Sequence, residues 1–166
     1  MNLHTATLLL LSILSFISCN DSFDCDIPAL DTRNGCPAPE STNGFSPEEL
    51  IANYTSDNGI ATQTTASGLV YNIINEGSGS SPTPSSSTTV DYVGYYRNGC
   101  EFDSNNEIEF PLSNVIAGWT EGLQLIGSCG TIQLFIIPEL GYNNNTSNGI
   151  PANEPLIFDV NLLGFE

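Results

Sequence analysis

The chain has 166 residues, which is enough for one modest domain with extensions, and two basic residues stand against nineteen acidic ones, for a formal net charge of −17. A surface with this charge repels phosphate groups, which argues against nucleic acid and anionic lipid headgroups as partners. The near absence of Lys and Arg also suits saline surroundings, where salt screens the self-repulsion of the acidic surface.

The first 18 residues have the pattern of a signal peptide. The stretch 7–18 is mostly apolar but shorter than the roughly 18 to 20 apolar residues that a membrane span needs. It leads into Ser15-Phe16-Ile17-Ser18-Cys19, which resembles the box that precedes the lipidated cysteine of bacterial lipoproteins. The resemblance implies that Cys19 carries the lipid; an ordinary secretory signal that contains a cysteine is the alternative.

Four further cysteines follow Cys19, and an even number outside the cytoplasm favours disulfides. Proximity in the sequence favours the pairs Cys25–Cys36 and Cys100–Cys129, although four cysteines permit three pairings. A metal site is not expected, because the chain has no Cys-x-x-Cys and its only histidine, His4, lies inside the signal segment.

Residues 19–45 are polar and rich in turn-forming pairs, and they predict a lipid-anchored tether. Ser46-Pro47-Glu48-Glu49 is a capping box, with Ser at the N-cap and Pro at the first helical position. The sequence therefore predicts a short helix and a linker over 46–64. A helix this short needs a partner to pack on, and we expect it at the edge of the domain.

Residues 65–166 predict one domain built from antiparallel strands. Four segments alternate apolar residues in the way that half-buried strands do: Leu69-Tyr71-Ile73, Val90-Tyr92-Gly94, Ile132-Leu134-Ile136 and Leu156-Phe158-Val160-Leu162. Between them, Val115, Trp119 and Leu123 recur at helical spacing and predict one short helix. We therefore expect an α+β fold, an antiparallel half-barrel sheet of four to five strands wrapped around one short helix.

Several motifs of this domain, in order and at matching spacings, resemble those of the FKBP-type peptidyl-prolyl cis-trans isomerases. The motifs are Val90-Asp91-Tyr92-Val93-Gly94, Gly99-Cys100-Glu101-Phe102-Asp103-Ser104, Phe110-Pro111-Leu112, Val115-Ile116-Ala117-Gly118-Trp119, Ile137-Pro138-Glu139-Leu140-Gly141-Tyr142 and Ile150-Pro151 through Phe158-Asp159-Val160. The resemblance covers roughly residues 68–166.

The resemblance implies a dry pocket for proline. By position in the motifs, it assigns catalytic roles to Asp103, Tyr92, Tyr142 and Trp119, and substrate-binding roles to Phe102, Val115, Ile116, Ile150 and Phe158. Trp119 would form the floor beneath the pyrrolidine ring, with the backbone N–H of Ile116 and the hydroxyl of Tyr142 holding substrate carbonyls. No nucleophile, metal or cofactor is required, because rotation about an amide breaks no bond.

The role of Asp103 has two interpretations. Its carboxylate stabilises the twisted amide electrostatically, or it orients the hydroxyl of Tyr92, and we favour the second. Phe110 and Tyr71 are interpreted as core residues.

The sequence departs from the family pattern around the pocket. Ile108 stands where the family often has Phe, and Asn143 follows Tyr142 where Gly is usual. The segment 143–148 replaces a common Gly-rich tip, so substrate preference and affinity for macrolides stay open.

The function predicted from these observations is a prolyl isomerase that assists the folding of exported proteins. It would act as a monomer, on proline-containing polypeptides, with macrolides as candidate inhibitors and with neither cofactor nor nucleic acid. It would lie outside the cytoplasm, bound to the bacterial cell envelope through the lipid anchor only. The alternative is a peptide-binding module or chaperone of low activity that uses the same pocket.

Overall fold

The computed structural model describes Cys25, Pro39, residues 42–143 and residues 150–166. In chain order its helices and strands are α1 (Pro47–Asp57), β1 (Gln63–Thr64), β2 (Val70–Asn75), β3 (Ser87–Tyr95), β4 (Glu101–Pro111), α2 (Ala117–Gly122), β5 (Gly130–Ile136) and β6 (Leu156–Phe165). Single 3-10 turns lie at Leu112–Asn114, Leu123–Leu125 and Pro138–Leu140.

The strands form one antiparallel sheet in the order β1-β2-β5-β6-β3-β4. The expected α+β architecture is confirmed, with the sheet open between its edges β1 and β4. The sheet has six strands where four to five were expected, because β1 is only two residues long and shows no apolar alternation. It pairs with β2 through Gln63 opposite Tyr71, so the sheet begins ahead of the predicted domain start at residue 65.

Helix α1 begins where the capping box predicts. The Ser46 hydroxyl accepts a hydrogen bond from the Glu49 backbone at 3.2 Å, and the Glu49 carboxylate accepts one from the Ser46 backbone at 2.8 Å. The helix does not lie at the edge of the domain. Ile51 and Tyr54 pack on the sheet face formed by Val93, Phe135 and Ile157, from the central strands β3, β5 and β6.

Helix α2 packs on the opposite face, which holds the main core. Trp119 of the helix and Leu123 of the 3-10 turn that follows it are buried against side chains such as Val90, Leu134 and Val160. The helix is shorter than the spacing of apolar residues suggested, because it begins at Ala117 and leaves Val115 in the preceding segment. Two of its glycines allow close contact with the sheet: a Cβ on Gly118 would lie 2.8 Å from Ile136, and one on Gly122 would lie 2.5 Å from Leu134.

The cysteine pairing differs from the expected one. A disulfide joins Cys25 to Cys129, which excludes both Cys25–Cys36 and Cys100–Cys129, and Cys100 is disulfide-bonded as well. The register explains why Cys100 cannot reach Cys129. Cys100 follows the turn after Tyr95, which lies opposite Ile157, whereas the Cys129 backbone donates to Leu162.

Five residues of β6 therefore separate the two positions, roughly 17 Å along the strand. The Cα atoms of a disulfide lie less than about 7 Å apart. Closeness in the sequence does not reflect this register, and the pairing Cys100–Cys129 that it favoured is therefore wrong.

Cleavage after the two arginines tests whether Cys25 pairs with Cys36 or with a cysteine of the fragment 98–166. Trypsin acting on unfolded, unreduced protein cuts after Arg33 and Arg97. Cys25 and Cys36 then lie in two different fragments, and Cys100 and Cys129 lie together in a third, 98–166. We expect mass spectrometry to find the fragment that carries Cys25 joined to the fragment 98–166. A link from Cys25 to the fragment 34–97 would contradict the structure.

Candidate active site

A cavity of about 460 Å³ opens on the sheet face that carries α2. Its lining is mostly apolar and aromatic, with four polar side chains at the wall and mouth. The lining residues are Tyr92, Asp103, Ile108, Phe110, Asn114, Val115, Ile116, Trp119, Tyr142 and Phe158. A concave apolar site with a few convergent polar groups is the usual form of a small-ligand or peptide pocket.

Trp119 forms the buried base of the cavity, with 4% of its surface exposed. The rings of Tyr92 and Phe158 stand nearly perpendicular to the indole, with centroids 5.1 and 5.3 Å from its centroid, and Phe110 lies 6.0 Å away at 90°. Edge-to-face contacts of this kind are the favoured geometry of aromatic pairs. The indole N–H is buried with no oxygen or nitrogen acceptor among the described residues.

Irregular pairing in β4 places the polar wall. Gly94 lies opposite Asp103 and Tyr95 opposite Glu101, so Phe102 is an extra residue in β4, and bulges of this kind re-aim neighbouring side chains. The Tyr92 hydroxyl donates to Asp103 Oδ2 at 2.7 Å. This contact agrees with the favoured role of Asp103 in orienting Tyr92.

Both cavity tyrosines are held in the neutral form. Burial, followed by the hydrogen bond and the negative charge of Asp103, raises the pKa of Tyr92 well above its usual range. Burial, followed by the charge of Asp103, raises the pKa of Tyr142. The two hydroxyls therefore remain hydrogen-bond donors throughout the physiological pH range.

The start of α2 contributes a backbone donor. Ile116 is the N-cap, and its carbonyl accepts from the backbones of Trp119 and Thr120 at 3.0 and 3.1 Å. Its own N–H has no hydrogen-bond partner within the described ranges. Ile116 is one of the residues that line the cavity, so this N–H is a candidate donor to a bound substrate.

The structure brings together seven of the nine residues assigned to the pocket, and the other two are not part of the lining. Phe102 packs edge-on against Phe158, with centroids 5.4 Å apart, and against Tyr96 at 4.9 Å. Ile150 is buried in the main core with 4% of its surface exposed. Phe102 thus supports Phe158 from outside the lining, whereas Ile150 belongs to the core.

Three lining residues were given no site role from the sequence: Ile108, which was noted only as a departure from the family pattern, Phe110 and Asn114. Phe110, interpreted as core, packs on the core and also lines the cavity; its position two residues after Ile108, on the same side of a strand, was a usable signal. Asn114 carried no signal, because the 3-10 turn Leu112–Asn114 sets its place. Residues 144–149, most of the segment that replaces the Gly-rich tip, lie outside the described residues, as do Cys19, Cys36 and the signal segment.

Asn143, the last described residue before that gap, explains one departure from the family pattern. It has φ +53°, in the left-handed region, which Asn enters more readily than most residues other than Gly. Asn can therefore replace the usual Gly at this turn.

Within the described part of the chain, no three His, Cys, Asp or Glu side chains cluster in a way that could hold a metal ion. The same part contains no helix both long and apolar enough to cross a membrane.

Comparison with known proteins agrees with this geometry. Residues 79–163 match the model of the family described as FKBP-type peptidyl-prolyl cis-trans isomerase. The chain belongs to this family. FkpA of Escherichia coli (strain K12), an FKBP-type isomerase, is 40% identical over 120 residues, which is 70% of this chain and 44% of FkpA. A probable FKBP-type isomerase of Haemophilus influenzae is 46% identical over 106 residues, 61% of this chain and 44% of that protein.

Solved structures of FKBP-type and related isomerases show the same fold. The crystal structure of FkpA from Escherichia coli matches with a TM-score of 0.67 and 38% identity, over 72% of this chain and 57% of that chain. A peptidyl-prolyl isomerase from Pseudomonas syringae matches with a TM-score of 0.67 and 25% identity, over 80% and 99%. The matched part of the chain spans 44% of the length of each of the two relatives matched by sequence.

The disulfide between Cys25 and Cys129 fits a location outside the cytoplasm, because such bonds form and persist in oxidising compartments.

The aromatic wall requires glycine at position 94. A Cβ there would lie 2.7 Å from the Phe158 ring and 2.8 Å from the Phe102 ring. We expect Gly94→Ala to lower the free energy of unfolding by about 1–3 kcal/mol, measured by urea denaturation, because overpacking shifts both rings. In a Phe102→Leu background, Gly94→Ala should lower the free energy of unfolding by less than it does in the parent protein. A Gly94→Ala protein as stable as the parent would contradict this packing.

Proposed function

We propose that this protein catalyses the cis-trans isomerisation of Xaa-Pro bonds in polypeptides, and that it assists the folding of exported proteins. The observation that carries the proposal is the aromatic cavity floored by Trp119, with the hydrogen-bonded pair Tyr92–Asp103 in its wall. The site belongs to a member of the FKBP-type family, and the chain spans only part of its relatives.

The chemistry needs no covalent step. The barrier to rotation, ~18–20 kcal/mol, comes from amide resonance, which is lost when the bond twists. The planar amide is the more polar state, so transfer from water to an apolar cavity favours the twisted state relative to it. The proline ring would lie on Trp119, between Tyr92 and Phe158, with Phe102 supporting Phe158 and Ile150 packed in the core.

Backbone and hydroxyl donors would orient the peptide. The free N–H of Ile116 and the hydroxyl of Tyr142 are each available to a substrate carbonyl. Asp103 would act through Tyr92, because the 2.7 Å hydrogen bond fixes the hydroxyl and hence the ring at the cavity wall. Val115 would complete the apolar wall, and a macrolide inhibitor would compete for the same cavity.

Isomerisation of an Xaa-Pro peptide, followed by NMR exchange spectroscopy, tests this proposal. We expect clear acceleration by the parent protein and at least about a tenfold loss of kcat/KM in Trp119→Ala and Asp103→Ala, which corresponds to ~1.4 kcal/mol of transition-state stabilisation. Tyr71→Phe, which loses a hydroxyl outside the cavity, is the matched control and should keep the parental rate. Equal rates with and without protein would favour the peptide-binding module.

The role of Asp103 can be separated in the same assay. If Asp103 acts only by orienting Tyr92, then Tyr92→Phe and Asp103→Asn should each lose activity and their combination should lose no more. If Tyr92→Phe stays fully active while Asp103→Asn does not, the carboxylate stabilises the twisted amide directly.

We also propose that the protein is a monomeric lipoprotein, anchored through Cys19 after removal of residues 1–18. The disulfide between Cys25 and Cys129 supports a short attachment, because Cys25 lies six residues after Cys19 and six residues span at most ~20 Å. The domain would therefore be held near the membrane by its disulfide rather than by the full length of residues 19–45.

Trypsin treatment of membranes that carry the protein tests the anchor and the attachment together. After cleavage at Arg33 the domain should stay in the membrane fraction, because the disulfide still joins it to the anchored fragment. Reduction with dithiothreitol should then release it. Cys19→Ser should be soluble without any protease, whereas Cys36→Ser should stay in the membrane fraction. Release of the oxidised, cleaved domain would contradict the attachment, and a membrane-bound Cys19→Ser protein would contradict the lipid site.

A further inference from the structure

A partly buried ion pair joins the turn after β3 to the segment that precedes β6. The Nε atom of Arg97 lies 3.3 Å from Glu154 Oε1, and the two side chains are 21% and 4% exposed. Arg97 lies in the tight turn that follows β3, closed by a hydrogen bond from Gly99 to the Tyr96 carbonyl at 2.7 Å. Glu154 lies in the irregular segment that precedes β6.

Burial of this glutamate needs a compensating partner. Burial raises the pKa of Glu154, and the charge of Arg97 opposes that rise. A carboxylate removed from water is stable only when a cation or several donors compensate it. Arg97 is one of two basic residues in the chain, so this pair uses a scarce cation.

A short chain of contacts leads from the pair to the cavity. The residue before Glu154, Asn153, donates its backbone N–H to the carbonyl of Asn143 at 3.1 Å. Asn143 in turn donates to the carbonyl of Pro138 at 2.8 Å, and it directly follows Tyr142, which lines the cavity. The position of Glu154 is therefore linked through Asn153 and Asn143 to the backbone that carries the Tyr142 hydroxyl.

We infer that Arg97 and Glu154 are positioning residues for the peptide substrate: their ion pair holds residues 150–154 and, through the hydrogen bond of Asn153 to Asn143, places Tyr142 for its contact with a substrate carbonyl. This inference rests on the proposed isomerase function. Neither charged residue lines the cavity, so the predicted effect on peptide binding is indirect and passes through Tyr142.

The main variant is Glu154→Gln, which removes the charge and keeps the side-chain length. NMR titration with an Xaa-Pro peptide should show a dissociation constant about three- to tenfold higher than for the parent, while the exchange rate of the bound peptide changes much less. Glu49→Gln makes the same change of charge in the capping box of α1, on the other sheet face, and should bind as the parent does. Arg97→Lys keeps the positive charge and should lose less affinity than Glu154→Gln.

A double-mutant cycle with Tyr142→Phe separates positioning from general stability. If the pair acts through Tyr142, the double variant should bind no more weakly than Tyr142→Phe alone. Losses that add, or parental affinity of Glu154→Gln, would overturn the inference. Thermal melting confirms that each variant is folded at the assay temperature, and should Glu154→Gln fail to fold, the cycle is run with Arg97→Lys.

The two proposals fail in distinguishable ways. A parent protein that does not accelerate isomerisation contradicts the proposed function. An active parent whose affinity is insensitive to Glu154→Gln contradicts only the inference about the ion pair.

Discussion

The close packing of one short helix against the sheet is the constraint on which the site depends. Gly118 and Gly122 leave no Cβ between α2 and the side chains of Ile136 and Leu134, so the helix backbone lies directly on β5. Trp119, between these glycines, is thereby fixed at the base of the cavity with three rings edge-on around it. A six-residue helix has little stability of its own, so this packing holds it in place. The apolar pocket follows from the same contacts that form the core.

The second sheet face gives the central strands support from the other side. Under α1, Gln133 donates to Asp159 Oδ1 at 2.7 Å and to the Tyr95 hydroxyl at 2.9 Å, while Tyr95 and Phe135 are almost fully buried. A helix that covers this face shields the rings of Tyr95 and Phe135, and with them the central strands β3, β5 and β6, from water. The strands that carry Tyr92 and Phe158 are therefore packed on both faces, and their side chains face the cavity from a rigid base.

The sequence could predict those parts of the structure that depend on local patterns. The capping box at Ser46 fixed the start of α1, alternation placed most strands, and the family motifs located seven of the ten lining residues. It could not predict what depends on three-dimensional proximity. The pairing of Cys25 with Cys129 spans 104 residues, and Asn114 reaches the cavity only because buried Leu112 anchors the turn before it. The expected place of α1, at the edge of the domain, was wrong for the same reason. Its short apolar stripe could pack against an edge as well as against a sheet face.

Two links that the sequence did not reveal, the ion pair Arg97–Glu154 and the disulfide Cys25–Cys129, hold segments that strand pairing does not hold. Backbone pairing secures β6 from Leu156 onward, but the segment before it and the turn at Cys129 lie outside the regular ladder. Arg97 holds Glu154 just before the start of β6. Cys25 holds Cys129 beside Leu162, near the C-terminal end of the same strand. Segments outside a ladder open at low free-energy cost unless side chains hold them. An ion pair suits the end of β6 that leads to Phe158, because it restrains the preceding segment without a covalent link. A disulfide suits the remote end, where a permanent link costs the site no freedom of movement.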